Sequence, residues 1–283
     1  MTLVLLDSLS LPGDPAKPNE DAFAQSDHAA LVLDGATPLG DPLMPGPSDA
    51  AWLAQFGARR LMAHLKDGDE PKDALAHTLA DAAKSFEALR RHPVREKWQT
   101  PCASLMLVAE NSIGLECLWF GDCSVLVQQY GACAIIGDAF ERRGLEAYSA
   151  RRMAKEKNLG PAPALNRAAM METMRASRNR INSGKNWLFS PEPRAAAHVS
   201  RQTVNAAPGA LLLIASDGFL ALATDYGAYD EMSLVTAARE KGLAALGAEL
   251  RAIENADAMG EKFARFKKSD DATALLLEVR QAP

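Results

Sequence analysis

Four short acidic clusters, far apart along the chain, constrain the fold more than any other feature. They are Asn19-Glu20-Asp21, Asp34-Gly35-Ala36-Thr37, Ser216-Asp217-Gly218 and Asp270-Asp271-Ala272-Thr273. Three of them adjoin apolar runs: Ala29-Ala30-Leu31-Val32-Leu33 precedes Asp34, Leu211-Leu212-Leu213-Ile214-Ala215 leads to Asp217, and Ala274-Leu275-Leu276-Leu277 follows Asp271. Apolar runs of this length, bounded by Gly or Asp, read as buried strands. A carboxylate at the end of a buried strand needs something to compensate its charge. Several carboxylates converging on one place repel each other, and a divalent cation relieves both problems. An all-oxygen donor set points to Mg²⁺ or Mn²⁺ rather than zinc.

The chain has 283 residues, enough to bury a core, and its composition (48% hydrophobic, 24% charged) is ordinary for a globular protein. A net charge of −5 supplies no global basic field for nucleic acid. The apolar runs are too short to span a bilayer. Met1-Thr2-Leu3-Val4-Leu5-Leu6-Asp7 reads as a first strand, not a signal peptide, so a cytoplasmic location is expected. The four cysteines, Cys102, Cys117, Cys123 and Cys133, form no Cys-x-x-Cys pair and have no His at ligand spacing, so they read as reduced structural thiols. His28, His64, His77, His92 and His198 are scattered, with no triad-like context.

Residues 1–8 and 22–34 read as strands, and the Pro/Gly-rich stretch 36–49 as a loop. Ser48 or Asp49 can cap a helix in which Trp52, Phe56, Leu61 and Leu65 share a face. Pro71 opens a second helix near 71–91. Residues 101–109, 113–120, 123–128 and 131–137 read as an antiparallel meander, and 139–182 as helical. Extended segments at 185–189 and 195–204 precede a strand at 210–215. Helices at about 218–224, 230–241 and 242–256 and a last strand at 271–279 complete the chain. Helices segregate from strands instead of alternating with them, which predicts an α+β fold: two antiparallel sheets packed face to face with helices outside.

In this order the motifs resemble those of the metal-dependent type 2C Ser/Thr protein phosphatases, over almost the whole chain. Asn19-Glu20-Asp21 is similar to the family's N-E-D, Asp34-Gly35 to its metal-binding D-G, and Thr100 to Leu107 to its small-residue strand. Gly121-Asp122-Cys123-Ser124 is similar to its G-D-S turn, Ser216-Asp217-Gly218 to its S-D-G, and Asp270-Asp271-Ala272-Thr273 to its terminal D-[DN]-x-T. The resemblance implies a four-layer α-β-β-α sandwich. It implies a single domain over 1–283 with a helical flap inserted at about 139–185, and hydrolysis of phosphoserine or phosphothreonine in proteins by a water activated between two metal ions.

Carried over position by position, it makes Asp34, Asp217 and Asp270 the catalytic metal ligands. Asp34 would bridge two ions, and the Gly35 carbonyl would bind one of them. Glu20 and Asp21 would hold metal-bound waters, and Asp122 would match a residue that helps bind a third ion in some members. Asp271 would be structural or would act from behind the ligands.

Two departures stand out. Ala36-Thr37 follows the D-G where many members carry His or Met, so a general-acid candidate is missing. No Arg precedes N-E-D, and the nearest cation, Lys17, becomes the candidate phosphate ligand, a point charge in place of a bidentate fork. These departures leave a second reading, a catalytically weak or inactive pseudophosphatase acting as a phosphoprotein-binding regulatory module.

Taken singly, each Asp also has a bland role in a turn or cap. The stretch 141–185 carries eleven cations against four acids. It reads either as a solvated helical face or as a basic flap that attracts phosphorylated substrate and meets a regulatory partner. Met153, Met170, Met171 and Met174 are expected to pack within the flap or to form a partner surface.

Overall fold

Alternation of side chains along the strands fixes the layers. The computed structural model describes residues 1–111, 113–142, 144–156 and 167–281, except the side chains of Glu146 and Arg167. One five-stranded sheet has the order β1-β10-β9-β6-β7, the other β2-β3-β4-β5-β8, and every pairing is antiparallel. The strands are β1 (Thr2–Leu11), β2 (Asp21–Gln25), β3 (Ala29–Gly35), β4 (Ala103–Asn111), β5 (Gly114–Phe120), β6 (Ser124–Gln129), β7 (Ala132–Gly137), β8 (Ser200–Val204), β9 (Leu211–Ala215) and β10 (Ala272–Arg280). In β3, Ala30 and Val32 face the other sheet, while Leu31 and Leu33 face helices α1 (Asp49–Lys66) and α2 (Pro71–Leu89). In β9, Leu212 and Ile214 point between the sheets. Leu213 and Ala215 meet helices α5 (Asp217–Thr224), α6 (Glu231–Lys241) and α7 (Leu243–Ala256). The expected α-β-β-α sandwich is therefore present, because a period of two gives each strand two apolar faces to bury.

Local rules account for most boundaries. Ser48 caps α1 by accepting from the Ala51 backbone N–H, and Pro71 opens α2 where no helical hydrogen bond is lost. Three expectations need correction. The single strand at 22–34 is a hairpin, β2 and β3, closed by the Ser26 N–H donating to the Ala29 carbonyl; its polar Ser26-Asp27-His28 turn interrupts the run.

The meander at 101–137 is two hairpins in different sheets. The chain leaves one sheet after β5 and enters the other at β6, through Gly121-Asp122-Cys123. Residues 185–189 form no strand, only bridges from Ala103 to Phe189 and from Ser183 to Asn186. Within 195–204 only Ser200–Val204 is a strand, preceded by a 3₁₀ turn over Pro193–His198. Of the helical reading of 139–182, Leu145–Glu156 (α3) and Arg167–Arg178 (α4) are helices, 139–142 and 179–182 are turns, and 157–166 lie outside the described residues. Arg143 and Lys157, counted among its cations, lie outside the described residues.

Candidate active site

Antiparallel pairing places the acidic clusters at one end of the sandwich. Asp34 at the end of β3 lies opposite Asp21 at the start of β2 and opposite Ser104 near the start of β4. Ser104 Oγ donates to Asp122 Oδ1 at 2.6 Å. From the other sheet, β9 ends at Ser216-Asp217, and β10 begins just after Asp270-Asp271. Asp34, Gly35, Asp122, Asp217 and Asp270 line one open cleft of about 390 Å³. Carboxylate oxygens of Asp34, Asp122 and Asp217 lie within 4.8 Å of one another.

The two glycines of the D-G pairs are present because backbones meet there. A Cβ on Gly35 would lie 2.5 Å from the Glu20 carbonyl oxygen, and one on Gly218 would overlap the Asp271 carbonyl. These close approaches bring the clusters together.

Small polar residues of the same motifs hold the arrangement. The Ser216 hydroxyl donates to Asp21 Oδ2 at 2.9 Å and accepts from the Thr273 N–H at 3.0 Å. The Asn19 carboxamide accepts from the Asp21 N–H and donates to Ser10 Oγ, which shares a hydrogen bond with the Thr273 hydroxyl. Asp271 accepts from the Gly13 N–H at 2.7 Å and the Glu20 N–H at 2.6 Å, so it ties the segment before β2 to β10. The Glu20 side chain accepts from the Ser48 hydroxyl at the start of α1.

The electrostatics are those of crowded, buried carboxylates. Burial first, then repulsion from Asp270, raises the Asp21 carboxyl to about 8. Burial and the neighbouring carboxylates push Asp34 and Asp217 far above the ordinary range. Asp21 Oδ1 and Asp217 Oδ1 are buried with no hydrogen-bond partner. Unpartnered buried oxygens in an all-oxygen set are what Mg²⁺ or Mn²⁺ would satisfy, and the residues fit such ions.

Cations reach the same cleft. The Lys267 ammonium pairs with Asp270 Oδ1. Burial alone would lower its pKa, but Asp270, Asp34 and Asp217 outweigh burial and hold it charged. Arg142 lies 3.5 Å from Asp122. Arg178, on α4, approaches the carbonyls of Ala36 and Thr37 at 3.4 and 3.5 Å. Arg175 donates to the Leu39 carbonyl and lies over the Trp98 ring, so α4 grips the loop that follows Asp34. Met170 and Met174 line the wall beside these arginines.

Lys17 is 73% exposed, 3.5 Å from Asp14, in an adjoining depression that Glu20 and Asp270 also line. Lys267 escaped the sequence reading; its only signal was a cation three residues before Asp270. Burial raises all four thiols, Cys117 to about 12 and Cys133 to about 11, consistent with structural cysteines.

No protein-family model matches the sequence, and no curated protein matches it. Solved structures do match, over nearly the full chain. The photosystem II phosphatase PBCP aligns with 98% of this chain and 99% of its own at TM-score 0.59 and 16% identity. The Mycobacterium tuberculosis serine/threonine phosphatase PstP/Ppp aligns with 99% of this chain and 100% of its own at TM-score 0.57 and 15% identity. The fold is that of the type 2C protein phosphatases. A crystal structure of the PstP catalytic domain in complex with two manganese ions shares this type 2C fold with the chain at TM-score 0.54 and 16% identity, over 99% of this chain and 100% of that one. At such identities the likeness establishes architecture.

Proposed function

We propose that this protein is a metal-dependent phosphatase of the type 2C class that hydrolyses phosphoserine or phosphothreonine in proteins. The observation that carries the reading is the convergence of Asp34, Asp122, Asp217 and Asp270, from both sheets, on one cleft, with Asp217 Oδ1 buried and unpartnered. Asp34, Asp217, Asp270 and the Gly35 carbonyl would hold two divalent cations, Mg²⁺ or Mn²⁺, and Asp122 would help with a third. When bound, such ions supply an acidified water for in-line attack and neutralise charge on the phosphoryl oxygens. The structure with two manganese ions in the PstP domain supports two as the number.

The chain's own residues have separate duties in this reading. Asp21, next to Asp34 and fixed by Ser216, would orient water at the ligands, as would Glu20 from the adjoining depression. Arg178, Arg142 and Lys267 line the cleft with the carboxylates and would face the substrate's phosphate, with Lys17 a further cation at the rim. Since no His follows Gly35, the leaving alkoxide would take its proton from water in the open cleft.

We further infer one domain over 1–283 in which 139–185 acts as the flap, and a cytoplasmic protein. Among the described residues, no helix is long and apolar enough to cross a membrane. Turnover of a phosphothreonine peptide that requires Mn²⁺ or Mg²⁺ and is lost in Asp217→Asn tests the proposal. Bound metal without turnover would instead indicate a pseudophosphatase.

A further inference from the structure

We propose that His64, Asp69 and His77 form a transition-metal site, suited to Zn²⁺, on the α1–α2 hairpin and separate from the acidic cleft. His64 stands in the last turn of α1, Asp69 in the connecting turn, and His77 in the second turn of α2. One ligand atom from each lies within 4.8 Å of the others. Asp69 Oδ2 is 2.6 Å from His77 Nδ1 and 3.5 Å from His64 Nδ1. Tetrahedral zinc with bonds of ~2.0–2.2 Å separates its ligand atoms by about 3.3 Å, so small side-chain shifts suffice.

The surroundings of His64 carry the argument further. Its Nε2 lies 3.0 Å from Asp81 Oδ2, and Arg60 holds the same carboxylate through Nε at 3.0 Å and through Nη2. Arg60 and His64 are four residues apart on α1, as are His77 and Asp81 on α2, so the facing surfaces of the two helices supply every member but Asp69. A neutral imidazole has one N–H. With that hydrogen on Nε2, donated to Asp81 at 3.0 Å, Nδ1 presents its lone pair towards Asp69 Oδ2, which accepts from His77 Nδ1; a cation that replaces the His77 proton would be held by all three. A carboxylate behind a histidine in this manner fixes the tautomer and raises ligand basicity at zinc sites. His77 is 57% exposed, which leaves a side open for water as a fourth ligand. Two imidazoles and one carboxylate suit Zn²⁺, Ni²⁺ or Cu²⁺ better than Mg²⁺, so the site would discriminate against the ions of the acidic cleft.

The test uses the full chain, stripped of metal and kept in excess Mg²⁺, titrated with Zn²⁺ against a chromogenic chelator. The wild type and Asp217→Asn should each bind one equivalent of Zn²⁺ that His77→Ala does not bind. Asp81→Asn should weaken that equivalent by ~10–100-fold. Since a ligand bound only by the native state raises the melting temperature, Zn²⁺ should raise it in the wild type and not through this site in His77→Ala. Because His77 is exposed, His77→Ala should fold, and its circular dichroism provides the check. Binding that is equal in the wild type and His77→Ala, or no Zn²⁺ bound by either, would overturn the proposal.

Discussion

At the scale of single residues, the motifs divide into groups that face the cleft and groups that hold them there. Asp217 faces the cleft, with a buried oxygen that has no partner. Asp217→Asn should lower turnover by more than ~100-fold, beyond what loss of a merely orienting partner costs, while the melting curve stays cooperative. Steady-state kinetics alongside thermal unfolding checks both. Asp271 carries the opposite signature: its two oxygens accept from the Gly13 and Glu20 N–H groups. Asp271→Ala should cost ~3–6 kcal/mol of stability, the scale of two hydrogen bonds to a charged group, as read from urea unfolding. Among the cations, Arg178 lies in the cleft and Lys17 in the adjoining depression. Arg178→Ala should raise KM for a phosphopeptide by ~10-fold or more, and Lys17→Ala by less. The reverse order would restore Lys17 as the principal phosphate ligand.

At the scale of elements, what was legible in the sequence is what short-range rules determine. The Ser48 cap, Pro71 at the start of α2, and the apolar runs of β3, β9 and β10 are all found where local chemistry predicts. What was not legible depends on partners distant in sequence. Nothing within 101–137 reveals that β5 and β6 belong to different sheets, because apolar residues on both faces suit either arrangement. Nor does the local pattern of α4 show that Arg175 and Arg178 reach the carbonyls of Leu39, Ala36 and Thr37. The clusters themselves could be listed in advance, but not the pairing of Lys267 with Asp270. Close approach of elements also explains the fixed glycines. Gly35→Ala, forcing β3 away from Glu20 and α1, should destabilise by ~1–3 kcal/mol and weaken Mn²⁺ binding. Calorimetry of the purified variant measures both.

At the scale of the whole molecule, both sheets aim carboxylates at one place, and the metal-free protein should show the cost as pH dependence. Asp21 is raised to about 8, and Asp34 and Asp217 are also raised, against an unfolded value near 3.9. Between these values the native state binds protons that the unfolded chain has released, so metal-free stability should fall as pH rises from about 4 through about 8. Mn²⁺ binds the deprotonated carboxylates and should abolish or reverse the trend; melting temperatures with and without chelator across this range check it. The central claim, that the type 2C fold here carries a working metal-dependent phosphatase, is tested most directly by hydrolysis of a phosphothreonine peptide with Mn²⁺, with Mg²⁺ and with chelator, in the wild type and Asp217→Asn. The account predicts turnover that appears with metal, disappears with chelator and is lost in the variant. Turnover that survives chelator or the substitution, or none at all in the folded, metal-bound wild type, would contradict it.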